Sequence, residues 1–261
     1  MKRIVFIFLL YPVFLFSKSP LLIYYGDNAS LSYINQFRNV VLDPDNYNHV
    51  FELKPITYGY LSIGEVENNR DYLKYVKKLG VLKRENSNWK GSFFVVLRSG
   101  KWQSFVVNYL IQSILEKGYN GIFLDTVDSL ILNNDKQSVI KFINLIKKRF
   151  PEIKLMMNRG FEIADKVNID SMLFESTITS YDFKNKKYFF AKHYIKVRKI
   201  PNQIEKFSVD YWYSDDVENI KKIYKKALKA GFKPFVSDIS LHELPKVLYD
   251  EDSKKFINKE N

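Results

Sequence analysis

The stretch "GYNGIFLDTVDSL", residues 118–130, decides the fold class. Gly121 to Leu124 form a short apolar run, as expected for a strand that is buried on both faces. Carboxylates follow at Asp125 and Asp128, beside a threonine and a serine. Strands buried on both faces belong to parallel sheets. The stretch therefore predicts a buried parallel strand that ends on two acids.

The rest of the chain alternates between short apolar runs and stretches with helical periodicity. Amphipathic helices are predicted at 70–79, 102–117, 136–150 and 216–230. Apolar strands followed by such helices indicate βα units and a parallel sheet. No linker or compositional break divides the 261 residues, so we expect one domain. The predicted strands are 21–25, 39–42, 58–63, 93–97, 121–124, 153–157, 169–174, 206–212 and 234–237.

The predicted fold is a single (β/α)8 TIM barrel of the α/β class. A doubly wound sheet that binds a dinucleotide would carry G-x-G-x-x-G after its first strand, but "IYYGDNAS" has one glycine. The length and the repeated βα units fit a barrel instead. The predicted strands exceed the eight that a barrel needs, so one of them is extra or lies outside the barrel. We expect this to be the run at 93–97.

Polar and aromatic side chains follow nearly every predicted strand. In a (β/α)8 barrel all strands end at the same C-terminal face, where the active site forms. We therefore expect the buried strand at 121–124 to direct Asp125 into a shared cleft. The motif "LFES" favours this interpretation, because its carboxylate directly adjoins an apolar strand. The candidate rim residues are Tyr25, Asp27, Asp43, Glu65, Asp125, Asp128, Asn158, Arg159, Glu175, Asp210, Tyr211, Trp212 and Asp238.

The chemistry that these residues predict is acid/base catalysis by carboxylates, without a metal or cofactor. The chain has no cysteine, and His49, His193 and His242 lie far apart outside the strand-end pattern, which argues against a Ser-His-Asp triad or a histidine metal site. Asp125 and Glu175 are the strongest pair. Two carboxylates flanking a scissile bond, with aromatic rings that stack on sugars, are typical of glycosidases. The candidate stacking residues are Tyr25, Tyr181, Tyr211 and Trp212.

The N-terminal residues resemble a secretory signal peptide. Lys2 and Arg3 precede an apolar stretch from Ile4 to Phe16, which is shorter than the roughly 20 residues that span a bilayer. We expect residues 1–18 to be removed, leaving 19–261 as the mature domain. The protein would then be secreted or periplasmic, with no stable membrane span.

The net charge of +12 does not indicate a nucleic-acid partner. Lysines alternate with apolar positions in stretches such as "YLKYVKKLG" and "IKKIYKKALKAG", as on solvated helix faces. No run of five basic residues and no nucleic-acid recognition motif occurs. We expect a polysaccharide partner and no nucleic acid; the sequence does not define an oligomeric state.

Several blocks together resemble glycoside hydrolase family 114, the endo-α-1,4-polygalactosaminidase-like TIM barrels. The blocks are "YGYLSIGEVE", "GYNGIFLDTVDS", "MMNRGFEI", "LFES", "DYW" and "AGFKPFVS", in family order over residues 21–240. The resemblance implies cleavage of a galactosamine-containing exopolysaccharide, with Asp125 and Glu175 as the catalytic acids. It also implies that Glu65, Asp128, Asn158, Arg159 and Asp210 line the cleft.

Two departures leave alternatives open. Val96 in "VVLR" replaces an acid that the family pattern leads us to expect, which favours a catalytically weak carbohydrate-binding barrel. The positive net charge suits a cationic galactosamine polymer poorly, so an N-acetylated or neutral glycan is the alternative substrate. Another enzyme class on the same barrel also stays open, because fold does not fix function.

Overall fold

Eight short parallel strands, with most of their residues buried, form one sheet in the computed structural model, which describes residues 18–191 and 200–259. Their two buried faces explain why they read as continuous apolar runs. The strands are β1 (Ser19–Tyr24), β2 (Phe37–Leu42), β3 (Ile56–Ser62), β4 (Gly121–Asp125), β5 (Lys154–Asn158), β6 (Ser171–Glu175), β7 (Glu205–Tyr211) and β8 (Lys233–Ser237).

The strands follow one another around the sheet in chain order, from β1 to β8. Every neighbouring pair is parallel, and β8 lies beside β1. The Tyr25 backbone N–H donates to the Leu241 carbonyl at 2.8 Å, which ties the end of β1 to the segment after β8. This arrangement confirms the predicted (β/α)8 TIM barrel.

Helices flank the sheet, and the longer ones bury an apolar stripe. The last of them buries Ile220, Ile223, Tyr224 and Ala227, the spacing expected of one helix face. The helices are α1 (Leu31–Ile34), α2 (Leu73–Leu79), α3 (Lys101–Phe105, the π-helical turn Val106–Leu110 and Ile111–Glu116), α4 (Val127–Asn133), α5 (Lys136–Arg149) and α6 (Val217–Lys229).

The extra predicted strand lies outside the barrel, as expected. The segment Ser92–Val95 is the central strand of a small antiparallel sheet, between Glu65–Glu67 and Leu82–Glu85. This small sheet belongs to the long connection between β3 and β4. Val96 follows its central strand and therefore does not lie on a barrel strand.

Among the elements that the sequence patterns missed are one helix and two hairpins around the barrel. Helix α4 begins directly after Asp125 and is too short to show helical periodicity. A hairpin of Thr179–Asp182 and Lys187–Phe190 follows β6 where a helix would be usual. A second hairpin, Val247–Asp250 with Lys255–Asn258, packs against β1.

The predicted signal peptide falls on residues 1–17 and the adjoining Lys18, and residues 1–17 lie outside the described part. Its removal and the 19–261 boundary therefore stay predictions. Across residues 18–191 and 200–259, every helix is too short or too polar to cross a bilayer.

Candidate active site

Asp125 and Glu175 lie together at the C-terminal face of the barrel, joined through the side chain of Asn158. The Asn158 amide nitrogen Nδ2 donates to Asp125 Oδ1 at 2.8 Å and to Glu175 Oε1 at 3.1 Å. The three residues are the last ones of the adjacent strands β4, β5 and β6. Barrel geometry alone therefore brings the two acids into one pair.

Each acid has further partners that hold it in place. Tyr60 donates its hydroxyl hydrogen to Asp125 Oδ2 at 3.0 Å. The guanidinium of Arg159 lies 3.2 Å from Glu175 Oε2 and 3.6 Å from Asp128 Oδ2. Glu175 is therefore held by a cation and an amide, whereas Asp125 is held by neutral donors.

Burial raises the pKa of both acids above the ordinary carboxyl range. For Asp125, burial outweighs the hydrogen bonds from Asn158 and Tyr60, which act in the opposite direction. For Glu175, burial and the nearby Asp125 charge outweigh the attraction of Arg159. Two carboxyl groups with raised pKa values that share one donor can divide the roles of proton donor and anion.

The Asn158 side chain also carries an unused acceptor. Its Nδ2 faces two carboxylates, which fixes the orientation of the amide, because a carbonyl oxygen there would face other acceptors. Asn158 Oδ1 is buried and has no hydrogen-bond partner within residues 18–191 and 200–259. A buried unpaired carbonyl oxygen costs free energy.

The backbone turns sharply after each of the three strands that carry the site. Thr126, Arg159 and Ser176 follow β4, β5 and β6, with φ values of 59°, 57° and 56°. Non-glycine residues rarely adopt positive φ, and strain of this kind concentrates at functional sites. These turns end the strands abruptly and leave the acids at the rim.

Thr126 is held in its unusual conformation by contacts from the end of β3. Its Oγ1 accepts a hydrogen bond from the Gly64 N–H at 2.8 Å and lies 2.8 Å from Ser62 Oγ. A Cβ atom on Gly64 would lie 2.2 Å from the Thr126 carbonyl oxygen, so only glycine fits there. The glycine of "SIGE" thus supports the turn that positions Asp125.

Most of the predicted rim residues do meet at this site. The Tyr25 ring packs edge-on against Tyr60 at 4.9 Å, and the Tyr211 hydroxyl lies 3.4 Å from Glu175 Oε1. Although its hydroxyl reaches the acid, the Tyr211 ring is buried and is not free to stack on a sugar. The residues brought together are Tyr25, Asp125, Asp128, Asn158, Arg159, Glu175 and Tyr211.

Glu65 and Asp210 do not present a carboxylate to the cleft, contrary to the sequence prediction. Asp210 is fully buried and accepts hydrogen bonds from the Thr177 hydroxyl at 2.6 Å and from the Ile178 N–H at 2.7 Å. Glu65 is 3% exposed, and its oxygens accept from Asn86, Ser92 and Ser129. The strand-end pattern shows where a side chain starts but not which loop closes over it.

Two aromatic residues also differ from their predicted placement. Trp212 is buried in a cluster with Ile178 and Val236, and its indole N–H donates to Asp216 at 2.9 Å. Its ring is therefore a packing element and not a stacking surface. Tyr181 lies on the hairpin after β6, where its ring contacts other aromatic rings.

Tyr60 is the site residue that sequence reasoning missed. It lies in the predicted strand at 58–63, and Tyr58, Tyr60 and Ser62 alternate along one face of β3. Because both faces of a barrel strand are buried, this alternation does not reveal which face points inward. Among the described residues, no group of three His, Cys, Asp or Glu side chains is arranged to hold a metal ion.

A (β/α)8 barrel with paired carboxylates at its C-terminal face is the arrangement of many glycosidases. The sequence profile of glycoside-hydrolase family GH114 matches residues 42–254. The chain belongs to this family, and it is a glycosidase. The predicted family resemblance is thus confirmed.

Solved structures share the fold at low sequence identity. The glycoside hydrolase domain of PelA from Pseudomonas aeruginosa superposes with a TM-score of 0.72 and 20% identity, covering 87% of this chain and 97% of that one. Ega3 of Aspergillus fumigatus, solved in complex with galactosamine, gives 0.63 and 17%, covering 86% and 92%. An uncharacterized protein of Thermotoga maritima is 26% identical over 254 residues, which is 82% of this chain and 77% of that protein.

Proposed function

We propose that this glycosidase cleaves an α-linked galactosamine-type polysaccharide with Asp125 and Glu175 as its catalytic pair. The observation that carries the proposal is the Asn158 amide nitrogen, which donates to both carboxylates at the end of adjacent strands. One donor shared by two partly buried acids holds them at a fixed separation. A glycosidic bond between them is within reach of both groups.

The separation of the acids favours a mechanism that retains anomeric configuration. Because both hydrogen bonds share one nitrogen, Asp125 Oδ1 and Glu175 Oε1 lie no more than about 6 Å apart. Retaining enzymes place their carboxyl groups at about 5–5.5 Å, and inverting enzymes place them at about 6.5–9.5 Å to admit a water molecule. The pair fits the first class.

In this mechanism Glu175 is the acid and Asp125 is the nucleophile. Glu175 donates its proton to the glycosidic oxygen while Asp125 attacks the anomeric carbon, which releases the leaving sugar and forms a covalent glycosyl ester. Glu175 then removes a proton from water, and the hydroxide displaces Asp125. Arg159 stabilises the carboxylate that Glu175 becomes, while Tyr60 and Asn158 stabilise ionised Asp125.

An amino sugar is the proposed substrate despite the positive net charge of the chain. Asp125, Asp128 and Glu175 surround the site, with Arg159 as their cation. Part of the basic charge lies elsewhere, on the face of helix α6 that carries Lys221, Lys222, Lys225, Lys226 and Lys229. Charges more than about 8 Å away are largely screened at physiological ionic strength. The solved complex of Ega3 with galactosamine supports the same substrate class.

We also propose that the protein is exported. The support is the sequence alone: Lys2, Arg3 and the apolar stretch from Ile4 to Phe16. The substrate class agrees with export, because exopolysaccharides lie outside the cell. N-terminal sequencing of the protein from its own host should show a start near residue 19. An intact Met1 in the cytoplasmic fraction would contradict export.

Reducing-sugar release from a panel of amino-sugar polymers, with and without acetylation, tests the function. We expect release from α-1,4-linked galactosamine polymers, and a loss of turnover of about 10²–10⁴-fold in Asp125→Asn and in Glu175→Gln. Proton NMR of the first products should show the α-anomer. If either variant keeps near-parental activity on a confirmed substrate, that residue is not catalytic; a β-anomer as first product would contradict retention.

A further inference from the structure

A run of exposed and half-buried aromatic rings extends across the C-terminal side of the barrel, beyond the acid pair. We call it the aromatic ridge, and it consists of Trp89, Phe183, Tyr181, Tyr188 and Tyr213. Successive ring centroids along it are 5.4, 5.0, 4.9 and 4.7 Å apart. Trp89, Phe183 and Tyr213 are 54%, 58% and 41% exposed.

The ridge joins two separate insertions of the chain. Trp89 lies in the connection between two strands of the small sheet, Leu82–Glu85 and Ser92–Val95, whereas Phe183 is at the tip of the hairpin after β6. Their rings meet edge to face, with 82° between the planes. At the far end, the Tyr188 hydroxyl accepts from the Ile239 N–H at 3.0 Å, just after β8. The ridge therefore passes between loops from several strand ends.

Glu65 links the Trp89 end of the ridge to helix α4, which follows Asp125. Asn86 Nδ2 lies 3.1 Å from each Glu65 oxygen, and the Trp89 N–H donates to the Asn86 carbonyl at 3.2 Å. Ser129 donates to Glu65 Oε1 at 2.6 Å and lies in α4, the helix that begins directly after Asp125. The loop that carries Trp89 is thus connected to the turn after β4.

Asp210 fixes the hairpin end in a corresponding way. Its oxygens accept hydrogen bonds from Thr177, Ile178 and Thr179, the residues that lead from Glu175 into the first hairpin strand. The two buried carboxylates that do not reach the cleft therefore hold the two insertions that form the ridge. Glu65 connects its insertion to helix α4, which follows Asp125, and Asp210 connects the hairpin that follows Glu175 to the neighbouring strand β7.

We propose that the aromatic ridge is a second binding subsite, which holds the polysaccharide chain some distance from the bond that is cut. The inference rests on the proposed function for its ligand. A sugar ring presents an apolar C–H face that can cover an aromatic ring, while its hydroxyl groups stay hydrated. Contiguous exposed apolar surface marks a binding region, and this one is connected by hydrogen bonds to helix α4 after Asp125 and to strand β7 beside Glu175.

A subsite of this kind changes the dependence on substrate length. A short oligosaccharide fills only the cleft around Asp125 and Glu175, whereas a long chain also covers the ridge. Stacking on the ridge lowers KM for the polymer and leaves the chemical step on a short substrate unchanged. The enzyme then prefers long chains and acts within them.

The test compares Trp89→Ala, Phe183→Ala and the double variant on a long galactosamine polymer and on a short oligosaccharide of the same linkage. We expect the double variant to lose about tenfold in kcat/KM on the polymer, and less than twofold on the oligosaccharide. Tyr109→Ala is the matched control, because Tyr109 is an equally exposed ring (59%) on helix α3. Equal losses on both substrates, or no loss on the polymer, would overturn the inference.

A binding measurement separates this inference from the catalytic proposal. If the parent cleaves neither substrate, the proposed function fails. The role of the ridge is then decided by affinity electrophoresis, which measures how far the polymer in the gel slows the migration of the protein. Weaker retardation of the double variant than of Tyr109→Ala supports the subsite. Equal retardation of the two proteins overturns it.

Discussion

Asp125 and Glu175 accept hydrogen bonds from the same amide nitrogen, Nδ2 of Asn158, at 2.8 and 3.1 Å. An amide group has two hydrogens, so it can donate one to each carboxylate. The acids are therefore coupled both by charge and by a common donor. A change in the charge of one acid shifts the pKa of the other, so the two acids titrate as a coupled pair.

The Asp125→Asn variant should be more stable than the parent at neutral pH. Burial raises the pKa of folded Asp125 above its unfolded value of about 3.9. As pH rises from the unfolded pKa to the folded one, the folded state holds more protons, so the parent loses free energy of unfolding in that window. Asparagine does not ionise and avoids this loss. We expect a higher Tm at pH 7 by calorimetry, with the difference vanishing near pH 3.

Asp135→Asn provides a control of opposite sign. Hydrogen bonds from the Ser138 side chain and backbone lower the pKa of this exposed carboxyl, whose ionised form therefore stabilises the fold above the unfolded pKa. Its replacement should lower Tm at pH 7 or leave it unchanged. A fall in Tm for Asp125→Asn at pH 7 would show that the lost hydrogen bonding outweighs the relief of the buried charge.

The Arg159→Gln variant should move one limb of the pH–rate profile and thereby identify the acid. The positive charge of Arg159 favours the ionised form of Glu175 and so acts to lower the pKa of that carboxyl. Without it the Glu175 pKa rises further. If Glu175 is the proton donor, the alkaline limb of kcat/KM shifts to higher pH. A shift of the acidic limb would mean that Glu175 is the ionised partner and that Asp125 is the acid.

The Asp210→Asn variant should lose stability rather than short-substrate affinity. Asp210 accepts from several donors of the segment 177–179, and an amide can accept with only one of its two terminal atoms. Although burial raises the pKa of Asp210 as it does for Asp125, we expect the lost hydrogen bonds to outweigh the relief of its charge at a cost of about 1–3 kcal/mol, which lowers Tm by about 2–4 °C per kcal/mol. KM for a short oligosaccharide should stay unchanged. Asp128→Asn, at a half-exposed carboxyl, is the control for stability.

The Gly64→Ala variant should lose activity although it changes no titrating group. The added Cβ would lie 2.2 Å from the Thr126 carbonyl oxygen and 3.1 Å from the Leu130 backbone nitrogen. Both belong to the turn and helix that follow Asp125, so this acid must move. A displacement of 1 Å at a reacting group can cost about 100-fold in rate. Parental kcat in this variant would show that the turn does not position Asp125.

The barrel could be predicted because it depends on short-range patterns of apolar residues in the sequence. Apolar runs of strand length, alternating with helix-period stretches, specify parallel βα units at any point of the chain. Because parallel strands of a barrel all end at one face, the sequence predicts that Asp125, Asn158 and Glu175 lie together there. The extra run at 93–97 was recognised as surplus for the same reason, since a barrel has room for eight strands.

The sequence by itself therefore determined the barrel, the family resemblance and the placement of Asp125 and Glu175 side by side, because each depends on patterns within single strands. Tertiary structure alone decided the roles of the remaining polar residues, which depend on the long loops that cover each strand end. Glu65 and Asp210 start at strand ends, as Asp125 does, but they are buried under insertions that satisfy their oxygens. Tyr60 gained its place beside Asp125 because the barrel interior selects one face of β3. Local sequence patterns do not predict contacts between residues 64 or more positions apart, such as Tyr60 with Asp125 and Glu65 with Ser129.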